Sequence, residues 1–159
     1  MTGKELLKGC WLFDGLSEEQ LGLLGTFCGQ MQVAEGSVIF REGEPARYLY
    51  VVGEGRVGLE MSVQRPDGGL TRPAVVAVLG PGEAFGWSAV VAPHVMTMAA
   101  RALEPSVVGL LEGKALREVL GCYRDVGYVV MCNLAKLLAR RLNQTREALL
   151  YERGWAMVG

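Results

Sequence analysis

Tyr48-Leu49-Tyr50-Val51-Val52-Gly53-Glu54-Gly55-Arg56-Val57-Gly58-Leu59 reads as two β-prone runs folded about a Gly-Glu-Gly turn. Glycine reaches the positive φ that a tight hairpin demands, because it has no Cβ to clash. The same grammar extends outward in both directions. Further β-prone runs lie at 38–40, 57–63, 74–79, 96–102 and 107–111. Between them fall Ala34-Glu35-Gly36, Glu42-Gly43-Glu44-Pro45, Pro66-Asp67-Gly68-Gly69 and Gly80-Pro81-Gly82. Short strands at a spacing of about 8–12 residues predict an antiparallel sandwich or barrel over residues 31–112. No strand–helix alternation is visible, which argues against a parallel α/β sheet.

Helical patterning flanks this zone. Residues 1–30 read as helix, with Ser17-Glu18-Glu19-Gln20 forming a capping box and Leu21, Leu23 and Leu24 giving an apolar side. Residues 113–153 read as a short helix over 113–121 followed by a long one over about 125–152. Met131, Ala135, Leu138, Leu142, Thr145 and Leu149 recur at alternating spacings of four and three, a heptad seam expected to pair two copies of the chain. Val130, Leu134 and Leu137 make a second stripe that can dock on the body of the domain. The competing reading is one broad stripe that docks entirely within the monomer. The expected fold is thus mainly β with helices (α+β), in a single domain spanning 1–159.

Half of the 159 residues are hydrophobic and 21% are charged, which describes a globular chain with a core of its own. A formal net charge of −1 supplies no global drive toward nucleic acid or an anionic membrane. Cys10, Cys28, Cys122 and Cys132 show no metal-ligand spacing and are expected as buried free thiols rather than disulfides or a metal site. The N-terminus carries no signal-peptide pattern, and the apolar stretch 126–139 is interrupted by Asn133 and Lys136. A soluble, cytoplasmic chain without membrane contact follows as the expectation. The single histidine, His94, cannot build a metal cluster, and no nucleophile–base pair or phosphate-loop motif is present. The chain therefore reads as non-catalytic, with no metal and no cofactor.

The order of these pieces resembles the cyclic-nucleotide-binding domain of the catabolite activator and kinase A regulatory subunit type. Leu12-Phe13-Asp14-Gly15-Leu16-Ser17 is similar to the opening of that family, as are the stretches 36–44 and 48–59. Pro81-Gly82-Glu83-Ala84-Phe85-Gly86 resembles the approach to its phosphate-binding cassette, here 82–97, and Ala139-Arg140-Arg141-Leu142 resembles its long helix. The resemblance implies an antiparallel double-stranded β-helix, or jelly roll, between N-terminal helices and a long C-terminal helix. It implies a regulatory, signal-transducing role in which ligand capture moves that helix.

The cassette chemistry of the family needs amides at a helix start for the phosphate, an arginine fork on its oxygens, and a glutamate for the ribose hydroxyl. By resemblance, Phe85, Gly86, Trp87, Ser88, Ala89, Met96 and Thr97 occupy these positions, and Thr145 aligns with a base contact on the long helix. Trp87 stands in the glutamate position and Met96 in the arginine position. Losing the arginine alone removes roughly 1.5–3 kcal/mol, and both losses together weaken a cyclic nucleotide by on the order of 10²–10⁴. Gly86, Ser88 and Ala89 retain backbone amides. Arg101 matches a basic residue beyond the cassette and is expected in solvent, as is the basic face Arg140, Arg141 and Arg146. His94 reads as a loop histidine, with haem ligation the sharper alternative.

Three functions fit these residues. The first is a regulatory sensor of a small, nucleotide-like or other ligand, acting as a homodimer. The second is a dimerisation or interaction module with a non-functional pocket, its protein partner unknown. The third is a fragment of a catabolite-activator-type transcription regulator. Only Gly154 to Gly159 follow Arg153, too few for a helix-turn-helix, so no DNA-binding domain and no direct DNA contact are expected.

Overall fold

The computed structural model describes the backbone of residues 1–158 and the side chains of residues 1–154. Helices α1 (Gly3–Lys8) and α2 (Glu18–Gly25) both start in capping boxes. At α2, Ser17 Oγ accepts the Gln20 N–H at 3.1 Å and Gln20 Oε1 accepts the Ser17 N–H at 2.9 Å. Two orphan amides are satisfied reciprocally, as the sequence predicts. Thr2 and Glu5 repeat the device at α1. Lys4 and Lys8 then clasp Glu18 at 2.9 and 2.7 Å, tying α1 to α2.

Eight strands follow: β1 (Cys28–Val33), β2 (Val38–Phe40), β3 (Tyr48–Glu54), β4 (Val57–Met61), β5 (Ala74–Leu79), β6 (Ala84–Phe85), β7 (Ala99–Ala102) and β8 (Ser106–Glu112). They pair antiparallel in two four-stranded sheets, ordered β1-β8-β3-β6 and β2-β7-β4-β5. The jelly-roll expectation is met, but the two sheets are not closed into one barrel. In β3 four successive residues, Leu49 to Val52, are buried. A strand covered on both faces reads as a continuous apolar run, which is why this stretch is the clearest signal in the chain. Between the sheets Phe40, Tyr50 and Phe85 stack with ring centroids 5.1–6.0 Å apart.

Several boundaries differ from expectation, and the run 57–63 is strand only to Met61. The helical reading of 1–30 ends early, because 28–33 pairs with β8 as β1. Its Cys-Gly-Gln-Met-Gln-Val sequence is weakly patterned; β8 supplies the ladder that makes it a strand. Residues 84–85 form the unexpected β6 against Tyr50 and Val51. Residues 96–98 lie outside β7, because the Met96 backbone instead bonds the 43–44 turn, at 2.8 and 2.9 Å.

Helix α3 (Gly113–Cys122) leads into α4 (Arg124–Val158). Val126, Val130, Leu134 and Leu137 are buried, so the second stripe docks on the body of the domain. Asn133 Nδ2 donates to the carbonyls of Leu12 and Asp14, both at 2.9 Å, and anchors α4 to the N-terminal segment. The heptad stripe turns elsewhere: Met131, Leu142 and Leu149 are 39%, 51% and 48% exposed. Leu138 of the heptad stripe packs partly on the core, so that stripe is divided between the domain body and solvent. No helix among the described residues is long and apolar enough to cross a membrane.

Candidate ligand site

The cassette loop starts where β6 ends. Gly86 takes φ +75°, a left-handed conformation, and a Cβ there would lie 3.0 Å from the Tyr50 ring and 3.2 Å from the Tyr48 carbonyl. Glycine is required on both counts. It opens a single 3-10 turn, Trp87–Ala89, rather than an α-helix. The Ala89 N–H closes back on the Gly86 carbonyl at 3.1 Å, so this amide, expected to face a ligand, is consumed internally. Two side chains staple the loop from outside. His94 Nδ1 lies 2.7 Å from the Ser88 carbonyl, which can only accept, so the ring nitrogen donates. Arg117 Nη1 donates to the Ala89 carbonyl at 2.6 Å. His94 is thus a structural member of the loop.

Gly86, Trp87, Ser88, Met96 and Thr97 line one void of only about 20 Å³. That is room for about one water, not a sugar phosphate. Met96, which the resemblance aligns with the family's arginine, is 3% exposed. Phe85 and Ala89, also candidates, are fully buried in the core. Ser88 is buried and Thr97 exposed. Thr145 is far along the chain and joins a different space.

That space is an open groove of about 650 Å³ between β5, Trp87 and α4. Val76 and Val78 line one wall; Arg140, Arg141, Gln144 and Thr145 line the other. Its volume lies within the range of about 300–1,000 Å³ typical of small-molecule sites. Arg141 is not on the solvated face expected for it. Its guanidinium lies 4.9 Å from the Trp87 ring centroid in a cation–π contact, and burial draws its pKa below the usual arginine value. Nothing in local sequence connects residues 87 and 141; the docking of α4 brings them together. Arg101 is also more engaged than expected. Its Nε donates to Glu60 Oε1 at 3.0 Å and its Nη1 to the Gly36 carbonyl at 2.7 Å.

All four cysteines are free, yet only Cys10 is fully buried; Cys28 and Cys132 are half-buried and Cys122 is exposed. Burial pushes the Cys10 thiol up to about 12. The four do not converge, and no group of three or more metal-ligating side chains exists among the described residues.

Comparison with known proteins agrees with this architecture. The profile of the family described as "Cyclic nucleotide-binding domain" matches residues 30–121. The "Cyclic AMP receptor protein" of Thermus thermophilus is 33% identical over 138 residues, covering 87% of this chain and 60% of that protein. The "CRP-like cAMP-activated global transcriptional regulator" of Mycobacterium tuberculosis is 26% identical over 145 residues, covering 91% of this chain and 61% of that protein. The chain therefore spans about three fifths of the length of these curated relatives. Among solved structures, the N-terminal domain of a transcriptional regulator from Streptomyces coelicolor superposes with a TM-score of 0.67 at 31% identity, covering 91% of this chain and 94% of that one. With matching sequence profile, two-sheet topology and flanking helices, the chain belongs to the cyclic nucleotide-binding domain family.

Proposed function

We propose that this single domain is a non-catalytic regulatory sensor that takes a small molecule in the groove between β5, Trp87 and α4, and signals by displacing α4. The observation that carries this reading is the contrast between a cassette filled by Met96 and a groove of about 650 Å³ bounded by the helix. A ligand that touches both walls binds the two positions of α4 unequally, which is the only way it can shift them. Leu142 and Thr145 belong both to the groove wall and to the heptad stripe Met131, Ala135, Leu138, Leu142, Thr145 and Leu149. Pairing of two copies along that stripe would couple ligand occupancy to the dimer. A thermal-shift screen of nucleotides and small organic acids, followed by distance measurement between spin labels on α4 of each hit, tests the proposal. A hit that raises the melting temperature and changes the distance supports it. Stabilising hits that leave α4 in place, or silence across the panel, favour the interaction module with an unused pocket. Isothermal titration with cyclic AMP is expected to show affinity lower by on the order of 10² or more than a complete cassette provides.

A second reading is favoured by the coverage of the relatives. The chain corresponds to about three fifths of a protein named as a transcriptional regulator and of one named as a cyclic AMP receptor protein, so it can serve as the sensor portion of a regulator. The expectation of no DNA contact draws no support from such relatives. Co-purification of the native protein from its source, with mass measurement of the intact chain, separates a stand-alone sensor from a regulator.

A further inference from the structure

We infer that the groove is an anion site whose charge comes from α4, and that it takes a flat organic acid: an apolar ring or chain bearing a carboxylate, sulfonate or phosphate. The inference rests on the reading of the groove as the ligand site and names the class of its occupant.

Charge is the first argument. The groove is walled by the two guanidiniums of Arg140 and Arg141 and by one carboxylate, Glu83, leaving one positive charge in excess. Glu83 is already engaged, its Oε2 accepting the Gly80 N–H at 2.7 Å. Neither arginine forms an ion pair among the described residues. Glu83 acts on Arg141 only from beyond ion-pair distance, so the half-buried guanidinium keeps its N–H donors for an anion.

Geometry is the second. The Arg141 guanidinium carbon lies 4.9 Å from the Trp87 ring centroid, a contact that uses the cation's charge but none of its N–H donors. Gln144, three residues on, adds an amide donor from the same face of α4. The opposite wall is apolar and uncharged: Val76 and Val78 on β5 are 54% and 52% exposed. β5 is the last strand of its sheet, so one of its backbone edges has no strand partner among the described residues. Acid at the helix and apolar body along β5 is the one orientation in which both walls are matched. It puts the anion on α4, outside the 82–97 loop where Met96 blocks the phosphate position.

The test uses two probes of similar shape and opposite character, 8-anilinonaphthalene-1-sulfonate and the neutral N-phenyl-1-naphthylamine, titrated by fluorescence into wild type, Arg141→Gln, Arg141→Lys and Ala148→Trp. Ala148 lines the groove and carries no polar side chain, so its replacement by tryptophan blocks the space without removing a donor. Arg141→Gln should weaken the sulfonate by about tenfold or more while moving the neutral probe by less than about twofold. Arg141→Lys should recover part of that loss, since charge returns without the fork. Ala148→Trp should weaken both probes. Equal response of the two probes to Arg141→Gln, or none, overturns the anion inference while leaving the groove as a ligand site. Probe binding indifferent to Ala148→Trp overturns the groove reading itself.

Discussion

At the scale of single residues, the proposed loss of phosphate binding turns on Met96. A thioether buried at 3% exposure offers a phosphate nothing, and it fills the volume that a phosphate would need. Restoring the family's residue should therefore not restore the site. Met96→Arg is expected to destabilise the fold by about 3 kcal/mol, because a guanidinium would be buried without a partner. Urea denaturation measures this, and cyclic AMP at millimolar concentration should return only part of the loss. The cysteines make a second residue-scale prediction. Ellman's reagent should reach exposed Cys122 at once and leave Cys10, buried and held near 12, untouched until denaturant is added. Cys122→Ser should remove the fast phase. The identity of residues 87 and 96 was readable in the sequence, and so was their lack of charge. That Met96 seals the cassette was not, since the void depends on how Phe40 and Leu59 pack around it.

At the scale of elements, the α1–α2 pair is held by a charge clasp with a defined pH window. Hydrogen bonds from Lys8 and Lys4 lower the Glu18 carboxyl from 4.5 to about 2. A depressed carboxylate contributes stability that is present above its unfolded value and fades as pH falls through its folded one. Stability should drop as pH falls from 4.5 toward 2, and Glu18→Gln should flatten that part of the profile in denaturation midpoints. The effect is small, since the clasp is solvent-exposed. The α3–α4 junction is less forgiving. A Cβ at Gly127 would fall inside contact distance of the Leu120 carbonyl, so the helices approach there only because glycine lacks one. Gly127→Val is expected to cost about 2 kcal/mol or more, read as a lowered urea midpoint. Elements with a strong local code, such as the Ser17 capping box or the turn 53–55, were legible in sequence. β1 and β6 were not, because each is a strand only through its neighbour's ladder.

At the scale of the whole molecule, α4 divides its apolar residues between two surroundings, and substitution separates them. Val130→Asp puts a charge at a 1% exposed position and should lower stability by about 3 kcal/mol or more. Leu142→Asp, at 51% exposure, should change monomer stability by less than about 0.5 kcal/mol. If the exposed stripe pairs two copies, the same substitution converts dimer to monomer in sedimentation equilibrium. Unchanged mass would remove α4 as the pairing surface. The folded body carries α4 past the cassette, so Arg141 reaches Trp87 from 54 positions away in the chain.

By itself the sequence determined the antiparallel class, the helical flanks and both stripes of α4, and it put uncharged residues at 87 and 96. These are written in residue type and short-range spacing, which turn geometry, helix period and side-chain chemistry translate directly. Only the tertiary structure decided that the sheets stay open, that little space is left at Met96, and that a groove of about 650 Å³ is walled by α4. Each of these depends on which distant side chains share a volume, and packing in three dimensions has no short-range signature along a chain.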